Sequence, residues 1–143
     1  MKELYTEIEI NASAERVWQL LTDFSRFPEW NPFMPRAKGQ IAPNEKLEVY
    51  LTPPNNFGMT IKPTVTKVEP NRELRWLGHL ITPGIFDGEH IFTIERLSSD
   101  HVRLIHREEF KGGLVPLMLA LVGNNTKRGF EAMNQALKTQ AEL

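Results

Sequence analysis

The chain contains no cysteine among its 143 residues, which removes disulfides, thiolate nucleophiles and cysteine-ligated zinc or iron–sulfur sites together. It has almost no net charge. Seventeen Lys plus Arg stand against eighteen Asp plus Glu, a formal balance of -1, so no positive field covers the surface to hold nucleic acid or an anionic bilayer. Long apolar runs are missing too: the longest, Leu114 to Val122, is broken by Pro116 and falls well short of the roughly 18–20 residues that span a bilayer. Met1 to Glu7 carry no apolar stretch behind Lys2, so no secretory signal is read there and the cytoplasm is the expected compartment. The sequons at Asn11 and Asn124 would then carry no glycan. No G-x-G-x-x-G, P-loop, G-x-S-x-G or H-E-x-x-H pattern occurs, so nucleotide cofactors, serine hydrolysis and zinc catalysis are not expected. The expected site holds no metal and no cofactor.

What is present is ordinary globular material: 41% hydrophobic and 24% charged residues, enough for one packed domain over 1–143. Tyr5 to Ile10 alternate with period two, as a strand with one buried face does. Ser13 is a candidate N-cap, and Val17, Leu20, Leu21 and Phe24 paint one face of a short helix behind it. Pro28, Pro32 and Pro35 then leave room for at most one more helical turn around Trp30 to Phe33. From Lys46 to Phe110 the chain reads as strands: 46–51, 59–68, a run through Leu74, Trp76, Gly78 and Leu80, then 89–97 and 101–110. Between them lie turns at 53–56, at Glu69 to Arg72 and at Thr82 to Gly84, and a hairpin at Ser98-Ser99-Asp100. After Gly112 and Gly113, Pro116 opens a helix that could run to about Ala141. Its stripe of Met118, Val122, Thr126, Gly129, Met133 and Leu137, with Leu121 and Phe130 beside it, would face the sheet. The order of elements gives an α+β fold.

Ser13-Ala14-Glu15-Arg16-Val17-Trp18, Asp23 through Phe33, Val68 through Trp76 and Gly88 through Ile94, with the Phe110-x-Gly112 exit and the terminal helix, resemble the START/birch-pollen-allergen-like (SRPBCC) superfamily over essentially the whole chain. The polyketide cyclase/dehydrase branch is the nearest in pattern. The resemblance implies a helix-grip fold: a seven-stranded curved antiparallel sheet around a long C-terminal helix, with two short helices after the first strand. It also implies an apolar cavity between the sheet and that helix.

A three-residue hairpin loop pairing Leu97 with His101 sets a register in which Ile94 faces Leu104, Phe92 faces His106 and His90 faces Glu108. The apolar members put this face inward, so His90, His106 and Glu108 reach the cavity wall. A Glu beside a His in an apolar shell is first of all a satisfied cross-strand polar pair; it also suits orienting a ligand, and general acid–base chemistry. Glu108 and His90 are therefore the candidate catalytic residues. Trp30, Phe33, Trp76, Phe92, His106 and Met133 are the candidate ligand-binding residues, with plain core as the alternative for each aromatic. His79 and His101 read as surface groups. Gly129 would leave room for a ligand or for Trp76. The loops at Asn56 to Met59 and Pro83 to Phe86, with Leu114, Leu117 and Met118, would frame an entrance, or else close the core or form a homodimer contact.

Three functions fit. The first is binding of a small hydrophobic or amphipathic molecule, such as a lipid, isoprenoid or polyketide-like aromatic. The second is a cyclase or dehydratase using Glu108 and His90. The third is a protein-interaction module of the kind found among relatives that activate a chaperone ATPase.

Overall fold

The computed structural model describes residues 2–54, 57–80 and 82–143; Asn55 and Asn56 of the loop predicted at 53–56, the latter also the first residue of a loop predicted to frame an entrance, lie outside them. Strand β1 (Lys2–Ile10) is followed by α1 (Ala14–Thr22), a 3₁₀ turn at Phe24–Arg26 and α2 (Phe27–Trp30). Then come β2 (Arg36–Lys38), β3 (Glu48–Leu51), β4 (Met59–Ile61), β5 (Thr64–Glu69), β6 (Glu73–Leu80), β7 (Phe86–Ser98), β8 (His101–Lys111) and the long helix α3 (Val115–Ala141). The strands form an antiparallel five-stranded sheet, β1-β8-β7-β6-β5, and a three-stranded one, β2-β3-β4. A bridge between Lys46 and Thr64 joins them. With α3 packed across the inner face, this is the helix-grip arrangement.

Local chemistry explains the boundaries. Ser13 Oγ accepts the Arg16 amide at 3.1 Å and starts α1, satisfying one of the amides a helix leaves unpaired at its beginning. Val17, Leu20 and Leu21 are all buried beneath it. The run expected as one strand from Met59 to Val68 is two strands, because Pro63 has no amide to give a ladder. The chain changes sheets there: β4 pairs with β3, and β5 pairs with β6. The turn after β5 closes with the Arg72 amide on the Glu69 carbonyl, and Asn71 takes the left-handed conformation at φ 65°, which Asn tolerates well.

The β7–β8 register is as expected from Ile94–Leu104 through His90–Glu108. Its closure is not. Ser98, not Leu97, pairs with His101, and the ladder shifts between Arg96 and Ser98. A two-residue turn with Leu97 bulged out thus reaches the same register as a three-residue loop.

Helix α3 divides along its length. Gly129, Phe130, Met133, Asn134, Leu137 and Ala141 are buried, holding its C-terminal part against β1, α1 and the middle of the sheet. Met118 and Val122, nearer its start, are only half-buried. Leu121, expected beside the inner stripe, is 69% exposed; it lies one position before Val122, about 100° around the helix and off the buried arc. No helix among the described residues is long and apolar enough to cross a membrane.

Candidate functional site

Two glycines create the site. Gly78 on β6 is paired with Gly88 on β7, and both line the inner face, so neighbouring strands present a patch without side chains. A Cβ on Gly78 would meet nothing closer than Pro63 Cβ at 3.8 Å. Above this floor lies a cavity of about 330 Å³, within the ordinary range of about 300–1,000 Å³ for small-molecule sites. Trp76 and Phe110 border the glycines, while Leu51, Met59 and Ile61 come from the three-stranded sheet. Met118, Leu119, Val122 and Thr126 of α3 form the roof, and Phe57 and Phe86 sit at the mouth. Phe57 is 97% exposed. Of the segments predicted to frame an entrance, Phe57, Met59, Phe86 and Met118 line the cavity; Leu114 and Leu117 point to solvent.

One carboxylate reaches in. Glu108 of β8 lines the cavity with its side chain 20% exposed. Its Oε2 fills the space that a side chain on Gly88 would need, since a Cβ built there collides with it. Its Oε1 lies 3.5 Å from His90 Nδ1. Lys62, His79 and Thr126 are the other polar lining residues. His79, exposed as expected, bonds Asp87 at 2.7 Å, and this contact, ahead of the opposing effect of burial, lowers the Asp87 pKa. His101, also expected at the surface, bonds Asn11 and Glu9 at 2.7 and 2.8 Å.

Behind Glu108 a line of buried polar groups runs away from the cavity. His90 Nε2 is 2.6 Å from His106 Nε2, and His106 Nδ1 is 2.8 Å from Asn134 Oδ1. Asn134 Nδ2 donates to Thr6 Oγ1 at 2.9 Å, and Thr6 Oγ1 donates to the His106 carbonyl at 2.6 Å. His90 lies against Trp76 and His106 stacks on Phe130, with ring centroids 5.4 and 4.2 Å apart. Burial holds the His106 pKa well below its ordinary value; the nearby His90 pushes the same way and the bond to Asn134 opposes it. Trp76 Nε1 is buried without a hydrogen-bond partner among the described residues.

The sequence-predicted residues separate into three places. Glu108, Trp76 and Phe33 line the cavity. His90, His106, Phe92 and Met133 are buried beside or behind it and are not among its lining residues. Trp30 is half-buried, packed edge-on against Phe27 with centroids 5.3 Å apart, away from the cavity. The space over Gly129 is taken by Phe33, not by a ligand or Trp76. Sequence reasoning missed Thr6 and Asn134; the available signal was a polar residue on the apolar face of β1 and another on that of α3. Among the described residues, no group of three or more His, Cys, Asp or Glu converges to hold a metal ion.

Comparison with known proteins places the fold. The profile of the family described as "Polyketide cyclase / dehydrase and lipid transport" matches residues 1–142. A START superfamily protein from Mycobacterium smegmatis superposes with a TM-score of 0.72 at 20% identity, over 98% of this chain and 97% of that one. An aromatase/cyclase from Streptomyces sp. R1128 gives 0.74 at 14% identity, over 99% and 93%. A di-domain ARO/CYC of the BE-7585A biosynthetic pathway gives 0.73 at 15% identity, over 96% of this chain and 46% of that one, so this chain spans about half of its length. At such identities these structures share a fold. No curated protein matches the chain in sequence.

Proposed function

The chain belongs to the polyketide cyclase/dehydrase and lipid transport family, and from that premise we propose that it binds a small hydrophobic or amphipathic molecule in the cavity between the sheet and α3. One observation carries this reading: the facing glycines Gly78 and Gly88 leave an apolar hollow of about 330 Å³ with a single carboxylate turned into it. A chain selected only for stability fills such a space, because an unfilled apolar volume forgoes packing energy. The ligand is bound as a free small molecule in the cytoplasm, its apolar body against Trp76, Phe33 and Val122 and its polar end at Glu108.

A second reading is supported by Glu108 and His90 together. Glu108 is the only acidic residue lining the cavity among the described residues, and His90 stands behind it at 3.5 Å. In this reading Glu108 exchanges a proton with the bound molecule and His90 exchanges one with Glu108, as in the cyclase or dehydratase activity the family name includes. Phe92, His106 and Met133 contribute by holding these groups in place. Trp30 has no part in either reading.

The test is thermal denaturation against a panel of fatty acids, isoprenoids, sterols and polycyclic aromatics. A ligand at 100 times its dissociation constant adds about 2.7 kcal/mol, a shift of roughly 5 °C or more for a chain of this size. A saturable shift with one class, lost when Gly78→Leu fills the hollow, supports the reading. No shift from any class in protein shown to be ligand-free overturns it. Turnover of a bound compound that Glu108→Gln abolishes, with binding retained, selects the catalytic version.

A further inference from the structure

The buried groups behind Glu108 form a chain with a fixed direction. The His106 carbonyl can only accept, so the Thr6 hydroxyl proton points to it across 2.6 Å. Thr6 Oγ1 is then an acceptor and takes the Asn134 Nδ2 proton at 2.9 Å. That orients the amide, turning its oxygen to His106 Nδ1 at 2.8 Å. An amide oxygen cannot donate, so His106 carries its proton on Nδ1. His106 is fully buried and held neutral by that burial, which leaves its Nε2 a bare lone pair. The 2.6 Å contact with His90 Nε2 therefore needs the proton to come from His90. His90 Nδ1, 3.5 Å from Glu108 Oε1, is the end of the line. Two lone pairs facing each other there, His90 buried and the Glu108 side chain 20% exposed, repel.

We propose that Thr6, Asn134 and His106 are positioning residues that fix His90 as an Nε2 donor, so that His90 and Glu108 hold one proton between them and present an uncharged pair to the cavity. With the proton on Glu108 the pair is a carboxylic acid and an imidazole; with it on His90, a carboxylate and an imidazolium. The net charge is zero in both. The matching ligand is apolar with an uncharged oxygen at the Glu108 end, a ketone, aldehyde, ester or hydroxyl, rather than a carboxylate. A carboxylate at the Glu108 end would have to bury its charge against this neutral pair, because the lysine that lines the cavity, Lys62, is an exposed residue whose ammonium stays in water. The ligand class rests on the cavity reading above; the proton arrangement does not.

Two experiments separate them. Long-range proton–nitrogen correlation spectra of the wild-type protein, labelled with nitrogen-15 in histidine, report the tautomers without any variant. His106 is expected as the Nδ1–H form with His90 protonated at Nε2; an Nε2–H form of His106 overturns the positioning chain. Thr6→Val keeps the shape of the side chain but frees the Asn134 amide to turn, and His106 should then show both tautomers. An unchanged spectrum in that variant removes Thr6 from the chain. Affinities for 1-acetonaphthone and 1-naphthoate, the same bicyclic body with a ketone or a carboxylate, test the ligand class. The ketone should bind at least about tenfold more tightly, and Glu108→Leu should erase most of that preference. Equal or tighter binding of naphthoate to the wild type overturns the assignment of an uncharged ligand. No binding of either, together with no shift from any class of the thermal panel and with His106 found as Nδ1–H, overturns the cavity reading and leaves the proton arrangement standing.

Discussion

Phe33 occupies the room that a side chain on Gly129 would take: a Cβ built on Gly129 comes within 2.5 Å of Phe33 Cδ1 and 2.6 Å of Cε1. A glycine inside a helix costs about 1 kcal/mol relative to alanine, and here the cost admits an aromatic ring that is itself 2% exposed and lines the cavity. Gly129→Ala should therefore destabilise the protein despite better helix propensity. Overpacking costs about 1–3 kcal/mol, and the displaced ring has only the cavity to move into. Urea denaturation gives the stability change, and loss of affinity for whichever ligand binds the wild type reports the invasion of the cavity.

Gly88→Ala should behave in the opposite way. The added Cβ collides with the carboxylate end of Glu108, a flexible tip that can swing aside, and meets Phe110 Cδ1 at an ordinary contact distance of 3.5 Å. Stability should change by less than about 1 kcal/mol, while the spacing between Glu108 and His90 is lost. Any preference for one polar end group over another should weaken without a comparable loss of melting temperature. A large fall in melting temperature would mean that Glu108 is locked in place by more than its contact with His90.

Glu73 gives the fold an acid-sensitive brace on the outer face. Burial works against its charge, yet bonds from Lys67 at 3.0 Å, Thr93 at 2.8 Å and Arg75 at 3.0 Å bring its pKa from 4.5 down to about 2. A depressed carboxyl pKa stabilises the folded state above the unfolded value and ceases to do so as the pH falls through the folded one. Its contribution should be complete above about pH 5 and gone near pH 2, amounting to about 1–2 kcal/mol after solvent screening. The stability difference between wild type and Glu73→Gln, measured by urea denaturation from pH 7 to pH 3, should shrink over that interval.

His106 adds a second dependence at higher pH. Its folded pKa lies well below the ordinary 6.5 because it is buried, with His90 reinforcing the shift. Only the unfolded chain takes up that proton as the pH falls below 6.5, so the stabilisation is present above that value and lost below it, at about 1.4 kcal/mol per pH unit. His106→Gln should flatten the stability profile between about pH 6.5 and 5. An identical slope in the variant would show that His106 is protonated in the folded protein.

Much of this was readable before the fold was known, and the reasons differ by element. The β1 alternation, the Ser13 cap and the α3 stripe are local patterns that report directly on buried faces. The alignment of His90 with Glu108 followed from the hairpin, even though Leu97 bulges, because a bulge and a one-residue shorter turn cancel. Contacts between elements distant in sequence were not readable. The pairing of Gly78 with Gly88 makes the hollow, and it appears only once β6 and β7 are in register. Phe33 meets Gly129 across ninety-six positions of sequence. Thr6 and Asn134 have no local partner that would single them out in sequence, and only the packing of α3 on β1 joins them.

The division of α3 has a consequence for the empty and the loaded protein. Its C-terminal part is anchored by Phe130, Met133 and Leu137, each no more than 1% exposed, while the turns from Met118 to Thr126 rest on the hollow. In the empty protein those turns are held mainly by their own backbone bonds, which lend a helical segment little stability without a packed partner. On the proposed reading a bound molecule would supply the missing contacts, so amide hydrogen exchange from Met118 to Thr126 should slow on ligand addition while the rate around Met133 stays the same. Binding and the last step of folding would then be one event, with the ligand a removable piece of the core.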